Sequence, residues 1–107
     1  MRKIEREGER KVLLDTENDQ CLWSGRKNFA GQNSPNRWLD FHAHKTRTKD
    51  KMVFYLAHYT CWQGETSYIG KLSLDDAQEF AEEHYDQLDC TDEELKAWGL
   101  VDAEKLE

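Results

Sequence analysis

The sequence predicts an α+β fold: a curved antiparallel sheet of four to five strands packed against one C-terminal α-helix plus a short second helix. Three observations predict it. Short runs rich in Val, Phe, Tyr and Trp, separated by polar or glycine-bearing turns, fill residues 11–72. From Ser73 onward the apolar residues recur at helical spacing instead. A hydrophobic content of 37%, with 11% aromatic residues, is enough for one core in 107 residues, although a mean hydropathy of −0.98 points to loose ends.

Each element follows from its local pattern. Residues 1–10 alternate charges with Ile4 as the one apolar residue after Met1, so they read as a flexible charged arm or the loose first turn of a helix. Val12-Leu13-Leu14 and Cys21-Leu22-Trp23 flank the polar stretch Glu17-Asn18-Asp19-Gln20, which predicts a hairpin between the first two strands. Residues 24–36, with Gly25, Gly31 and Pro35, form a loop. Arg37 to Lys45 alternates strictly: Leu39, Phe41 and Ala43 share one face, and Trp38, Asp40, His42 and His44 the other. Met52 to Trp62 is the longest apolar run and reads as a central strand, which Gln63-Gly64-Glu65 turns into a last strand over Thr66 to Leu72.

Two helices follow. Ser73 with Asp76 is a variant capping box that opens a helix from Leu74 to Leu88, with Ala77, Phe80, Ala81, His84 and Leu88 on its inner side. Thr91 with Glu94 caps a second, ended by Gly99 as the residue beyond its C-cap. The organisation expected is an arm (1–10), one α+β domain (11–101) and a flexible tail (102–107), with Leu106-Glu107 open to a vector origin.

No apolar run reaches ten residues and the charged start lacks the core of a signal peptide, so the expectation is a cytoplasmic protein without membrane contact. Cys21, Cys61 and Cys90 are odd in number and far apart, which argues for reduced thiols rather than a disulfide framework. The net charge of −7 is unevenly spread. Residues 1–51 hold twelve Lys/Arg against eight Asp/Glu, net +4, and residues 52–107 hold three against fourteen, net −11.

Three constellations carry candidate function. Asp75, Glu79, Glu82, Glu83 and Asp86 lie in a stretch of ten acids without Lys or Arg, on the predicted helix opposite its apolar side. An acidic helix is most often simply soluble, but this one offers a docking surface for a basic partner. The second is the aromatic and basic strand face with Trp38, His42, His44, Tyr55, Tyr59 and Trp62 beside the turn lysine Lys49, chemistry that suits stacking of single-stranded nucleic acid. If Lys49-Asp50 makes a two-residue turn, opposed residues sum to about 99, so that Phe41 faces His58 and Ala43 faces Leu56, and the aromatic face lies partly open. The third is a metal: His42 and His44 at i and i+2 present two imidazoles, with Asp40 or Cys61 as a third ligand. No second ligand pair supports that site, so the expectation is no metal and no cofactor, with the histidines on a wet face. No ordered nucleophile, base and oxyanion set is visible, which points away from an enzyme. The reading is a non-enzymatic interaction protein, a regulator or inhibitor with a protein partner, with nucleic-acid binding and metal binding as alternatives.

Lys11-Val12 with Asp15-Thr16-Glu17, the basic turn Lys45 to Lys51 before Met52 to Leu56, and Lys71 to Glu83 resemble the segments of a group of small uncharacterised bacterial proteins encoded on chromosomes, plasmids and prophages. The resemblance covers about residues 11–100 and departs where His58-Tyr59-Thr60 replaces the group's Gly-Gly turn. It implies a sheet with C-terminal helices and a link to mobile elements, and supplies no activity or catalytic residue.

Overall fold

The computed structural model describes residues 1–31, 35–46 and 51–101. Six strands, β1 (Arg2–Glu7), β2 (Arg10–Asp15), β3 (Gln20–Ser24), β4 (Arg37–Lys45), β5 (Met52–Thr60) and β6 (Tyr68–Lys71), precede two helices, α1 (Leu74–Glu83) and α2 (Asp92–Ala97). They form two antiparallel sheets, a two-stranded β1-β2 and a four-stranded β3-β4-β5-β6. The α+β class and the C-terminal helices are as the sequence predicts.

The charged start is a strand, not a solvated arm. Gly8, at φ +64°, occupies with Glu9 a two-residue turn that a side chain would strain, and the flanking residues pair in register from Glu7 opposite Arg10 to Arg2 opposite Asp15. Ile4 is 66% exposed, so this strand is held by its ladder and not by burial. The hairpin expected between residues 12–14 and 21–23 is absent accordingly. Asp15 to Asp19 does turn the chain, with the Asp19 amide donating to the Asp15 carbonyl at 2.8 Å, but it carries the chain from one sheet to the other.

β4 and β5 pair so that opposed residues sum to 97: Phe41 faces Leu56, His42 faces Tyr55 and Ala43 faces Phe54. The connection is therefore longer than two residues, and the pairing is displaced by two positions from the tight-turn register. Because side chains alternate with period two, a shift of two keeps every residue on its predicted face. Phe41, Ala43, Phe54 and Leu56 pack with Leu22, Ala77, Ala81, Leu95, Leu100 and Val101 into the main core beneath the helices. The opposite face is covered over part of its length: Val53, Tyr55 and Ile69 bury against Val12 and Leu14 of the hairpin. The four-stranded sheet is thus the middle of three layers.

Local devices close the remaining elements. Gly25 passes so close to β4 that a Cβ there would sit 2.8 Å from the Leu39 carbonyl oxygen, and its amide donates to that same oxygen at 2.7 Å. Helix α1 starts at Ser73, whose hydroxyl accepts from the Asp76 amide. It ends five residues short of the predicted Leu88, with a 3-10 turn over Tyr85–Gln87. The His84 imidazole donates from Nδ1 to the Phe80 carbonyl at 2.9 Å, sharing that acceptor with its own amide, and thereby ends the regular helix. Thr91 and Glu94 complete the reciprocal capping box of α2. Gly99, at φ +71°, closes it: the Leu100 amide donates to the Leu95 carbonyl and the Gly99 amide to that of Lys96, a Schellman ending.

Candidate functional site

The acidic residues all lie at the surface. Asp75, Glu79, Glu82 and Glu83 on α1 and Asp86 in the 3-10 turn are all exposed, as is Asp76, while Ala77 and Ala81 face the core. Among the described residues none of these carboxylates is in an ion pair. Elsewhere several acids are matched: Lys27 binds Asp89 at 3.0 Å, Arg37 binds Glu65 at 2.9 Å, and Lys71 binds Glu7.

The aromatic face divides in two. At its outer end Trp38 and Tyr59 stack at 5.2 Å, with the Arg26 guanidinium 5.2 Å from the Trp38 ring, and Trp62 is 52% exposed beneath Arg37. A cleft of about 370 Å³ at this end of the sheet is lined by Trp38 and Tyr59 together with Leu39, His58 and Tyr68, which alternation puts on the other side of the sheet. The inner half is covered. Tyr55 is wholly buried, and His42 is 3% exposed beneath the hairpin, stacked on Tyr55 with ring planes 8° apart. These two cannot present a face to nucleic acid, which corrects their place on the open part of the face; the sequence pattern gives the side of the sheet but not what lies over it. Lys49 falls outside the described residues.

The covered half is a polar network built on the turn after β2. The Asp19 carboxylate accepts from Tyr55 Oη and His44 Nδ1, both at 2.7 Å, and from the Asp15 amide at 2.8 Å. Asp15, also buried, accepts from the Glu17 amide at 3.0 Å and Asn18 Nδ2 at 2.7 Å, and Arg2 lies 3.4 Å away. The Glu17 amide holds the Asp15 carboxyl below its ordinary range, against the opposing pull of burial. Burial first, then the bond to Asp19, pushes the Tyr55 phenol well up, so it stays a donor.

His44 is therefore committed to Asp19, and the candidate pairing of His42 with His44 at one ion, set aside in the sequence reading, is not brought together. Cys61 is exposed past the end of β5, six residues along from Tyr55, the partner of His42. At about 3.3 Å per strand residue that is about 20 Å, beyond reach of any shared ion. A different cysteine comes to His42. β3 pairs Cys21 opposite His42, and a bulge between Cys21 and Trp23 turns both Leu22 and Trp23 toward the helices while Cys21 keeps the hairpin side. Asp40, two residues before His42, shares that side, and the Cys21 sulfur, an Asp40 oxygen and a His42 nitrogen all lie within 4.8 Å of one another. The signal that could have found Cys21 is the Asp15–Asp19 turn, which fixes where β3 starts.

His42 is the outstanding group of this site. Neither ring nitrogen has a hydrogen-bond partner, and Asp40 Oδ1 is buried without one as well. Each such orphan costs about 1–3 kcal/mol. Burial lowers the His42 pKa, opposed by the nearby charges of Asp40 and Asp19 and by the Asp19 backbone, so the ring is neutral near pH 7. Burial and then the Asp40 charge push the Cys21 thiol up. Cysteine, histidine and aspartate are the types of a nucleophile triad, yet no hydrogen bond joins thiol to imidazole or imidazole to carboxylate, and a raised thiol is a poor nucleophile.

Compared with protein-family models, curated proteins and solved structures, the chain matches none. Among the described residues no helix is long and apolar enough to cross a membrane.

Proposed function

We propose that this is a non-enzymatic interaction protein, a regulator or inhibitor, that docks a basic surface of a protein partner on the acidic face of α1. The observation that carries the reading is the set of six exposed carboxylates, Asp75, Asp76, Glu79, Glu82, Glu83 and Asp86, clustered together and without an ion pair among the described residues. Like charges one turn apart, as at Asp75 with Glu79 and Glu79 with Glu83, cost a helix stability. A cationic partner removes that cost and is steered to the helix by the field of the C-terminal half.

The test is capture of partners from the native host, followed by binding kinetics of the recovered complex. Glu79→Lys with Glu83→Lys should slow association steeply, with a strong dependence on salt, and leave the fold intact because both sites are exposed. An association rate unchanged by the double substitution would remove the acidic helix from the interface.

One observation favours a second reading. The stacked Trp38-Tyr59 pair, with Arg26 against it and Trp62 beside Arg37, is a small platform of the kind on which bases stack. Saturable binding of mixed single-stranded oligonucleotides at micromolar protein and physiological salt, weakened by Tyr59→Ala, would put this reading first. Absence of binding would leave the docking reading alone.

A further inference from the structure

We infer that Cys21, Asp40 and His42 form a binding site for a zinc-class transition-metal ion between the four-stranded sheet and the β1-β2 hairpin.

The donor set defines the ion. A thiolate sulfur, an imidazole nitrogen and a carboxylate oxygen together suit Zn²⁺ and its analogue Co²⁺, whereas Mg²⁺ and Ca²⁺ call for oxygen ligands alone. The backbone brings the three together without loops: Cys21 and His42 are cross-strand partners on β3 and β4, and Asp40 is the i−2 neighbour of His42 on the same face. The bulge at Leu22 keeps the sulfur on that face when the strand's next two side chains go to the other.

Two of the three donors are buried and unused. His42 is 97% buried with both nitrogens unpartnered, and Asp40 Oδ1 is buried without a partner. Native proteins seldom leave such groups unsatisfied, and those they do leave call for an unseen partner. The Asp19 carboxylate does not supply one, because it is taken up by Tyr55, His44 and the Asp15 amide, and the Asp19 backbone lies close enough to favour the protonated ring without completing a hydrogen bond to it. A single metal ion takes up one His42 nitrogen and the Asp40 oxygen together. Tetrahedral coordination with bonds of 2.0–2.3 Å places ligand atoms about 3.3–3.7 Å apart. The donors now lie within 4.8 Å of one another, so modest side-chain rotations close the set. The Tyr55 ring stacked on His42 fixes the plane of the imidazole. Cys21 and Asp40 are half-buried and leave the fourth position to water. Binding displaces the Cys21 thiol proton to solvent as the sulfur–metal bond forms, so uptake of the ion releases one proton and tightens as pH rises.

The full chain, freed of metal with a chelator, is titrated with Co²⁺ and then with Zn²⁺. The expected result is one equivalent of Co²⁺ bound with a thiolate-to-cobalt charge-transfer band, which Zn²⁺ abolishes by displacement. Cys21→Ser should remove the band and Asp40→Asn should keep it, each weakening Zn²⁺ affinity by about 100-fold or more, since even outer groups around a metal are worth about 10–100-fold. Both positions are half-buried and both replacements are close in size, so the readout does not depend on removing the buried His42. Cys61→Ser and Cys90→Ser should change nothing. The proposal is overturned if no saturable binding occurs, if the band survives Cys21→Ser, or if it disappears with Cys61→Ser or Cys90→Ser instead.

Discussion

The two faces of the four-stranded sheet are solved by different means. Beneath the helices, Phe41, Phe54, Leu22 and Leu95 meet as apolar surfaces, with Phe41 and Phe80 rings 4.9 Å apart, and every buried group there is indifferent to pH. Beneath the hairpin, five buried apolar residues share their layer with Asp15, Asp19, His42 and His44, and Tyr55 is both a packing residue and a hydrogen-bond donor. One face holds the fold by burial. The other keeps polar groups where water is scarce, which is costly unless each finds a partner. The unequal division teaches where to look for chemistry: on the layer whose polar groups remain incompletely matched.

Phe41→Ala should have the largest effect. Truncating a fully buried aromatic ring removes about 3–5 kcal/mol, read as the shift in a urea unfolding curve. Tyr55→Phe keeps the ring under the hairpin and deletes its bond to the Asp19 carboxylate, for about 2 kcal/mol. If the phenylalanine variant cost as much as Phe41→Ala, the contrast between an apolar and a polar layer would fail.

The third difference is one of pH. The folded His42 pKa lies below its ordinary 6.5, so between those two values the unfolded chain binds more protons than the native one. The stability His42 contributes is thus fully present above about pH 6.5 and is lost as pH falls from there toward its folded value. His58, also lowered by burial, acts in the same sense at the far end of β5. Melting temperatures followed from pH 7.5 to 5 should decline, and His42→Gln should flatten the decline more than His58→Gln. An unaltered slope in His42→Gln would remove the hairpin layer as its source. Smallest is a change shared by neither layer: Ser73→Ala deletes the N-cap of α1 and should cost about 1 kcal/mol by the same urea measurement.

The sequence makes half of this contrast legible. Strict alternation in β4 sorts Leu39, Phe41 and Ala43 from Trp38, Asp40, His42 and His44, and a two-position error in register leaves the sorting unharmed because the side-chain period is two. The caps at Ser73, Thr91 and Gly99 are likewise local chemistry, readable over a few residues. What lies over the histidine face is not local. The strand that pairs with β2 to cover it runs through residues 2–7, where charges hide the pattern because that strand's own side chains are mostly solvated and only its partner β2 turns Val12 and Leu14 inward. Gly8-Glu9 between Glu7 and Arg10 was the available turn signal. Without the cover, His42 reads as a wet surface residue. The same omission hides Cys21, since pairing β3 with β2 would have placed it in a different neighbourhood from the one β4 provides.

That the hairpin is a sheet of its own has a kinetic meaning. No backbone ladder joins β1-β2 to the strands beneath, and its links to β6 include the side chains of Lys3, which donates to the Ile69 carbonyl at 3.1 Å, and Lys71, which donates to the Arg6 carbonyl at 2.9 Å. Lifting the hairpin therefore breaks no ladder of the larger sheet, so it can open as a cooperative unit of its own at a smaller free energy than global unfolding. Native-state amide exchange should show β1 and β2 losing protection together and well before β4 and β5. The time for which His42 meets solvent is then set by this partial opening, and not by the lifetime of the folded protein.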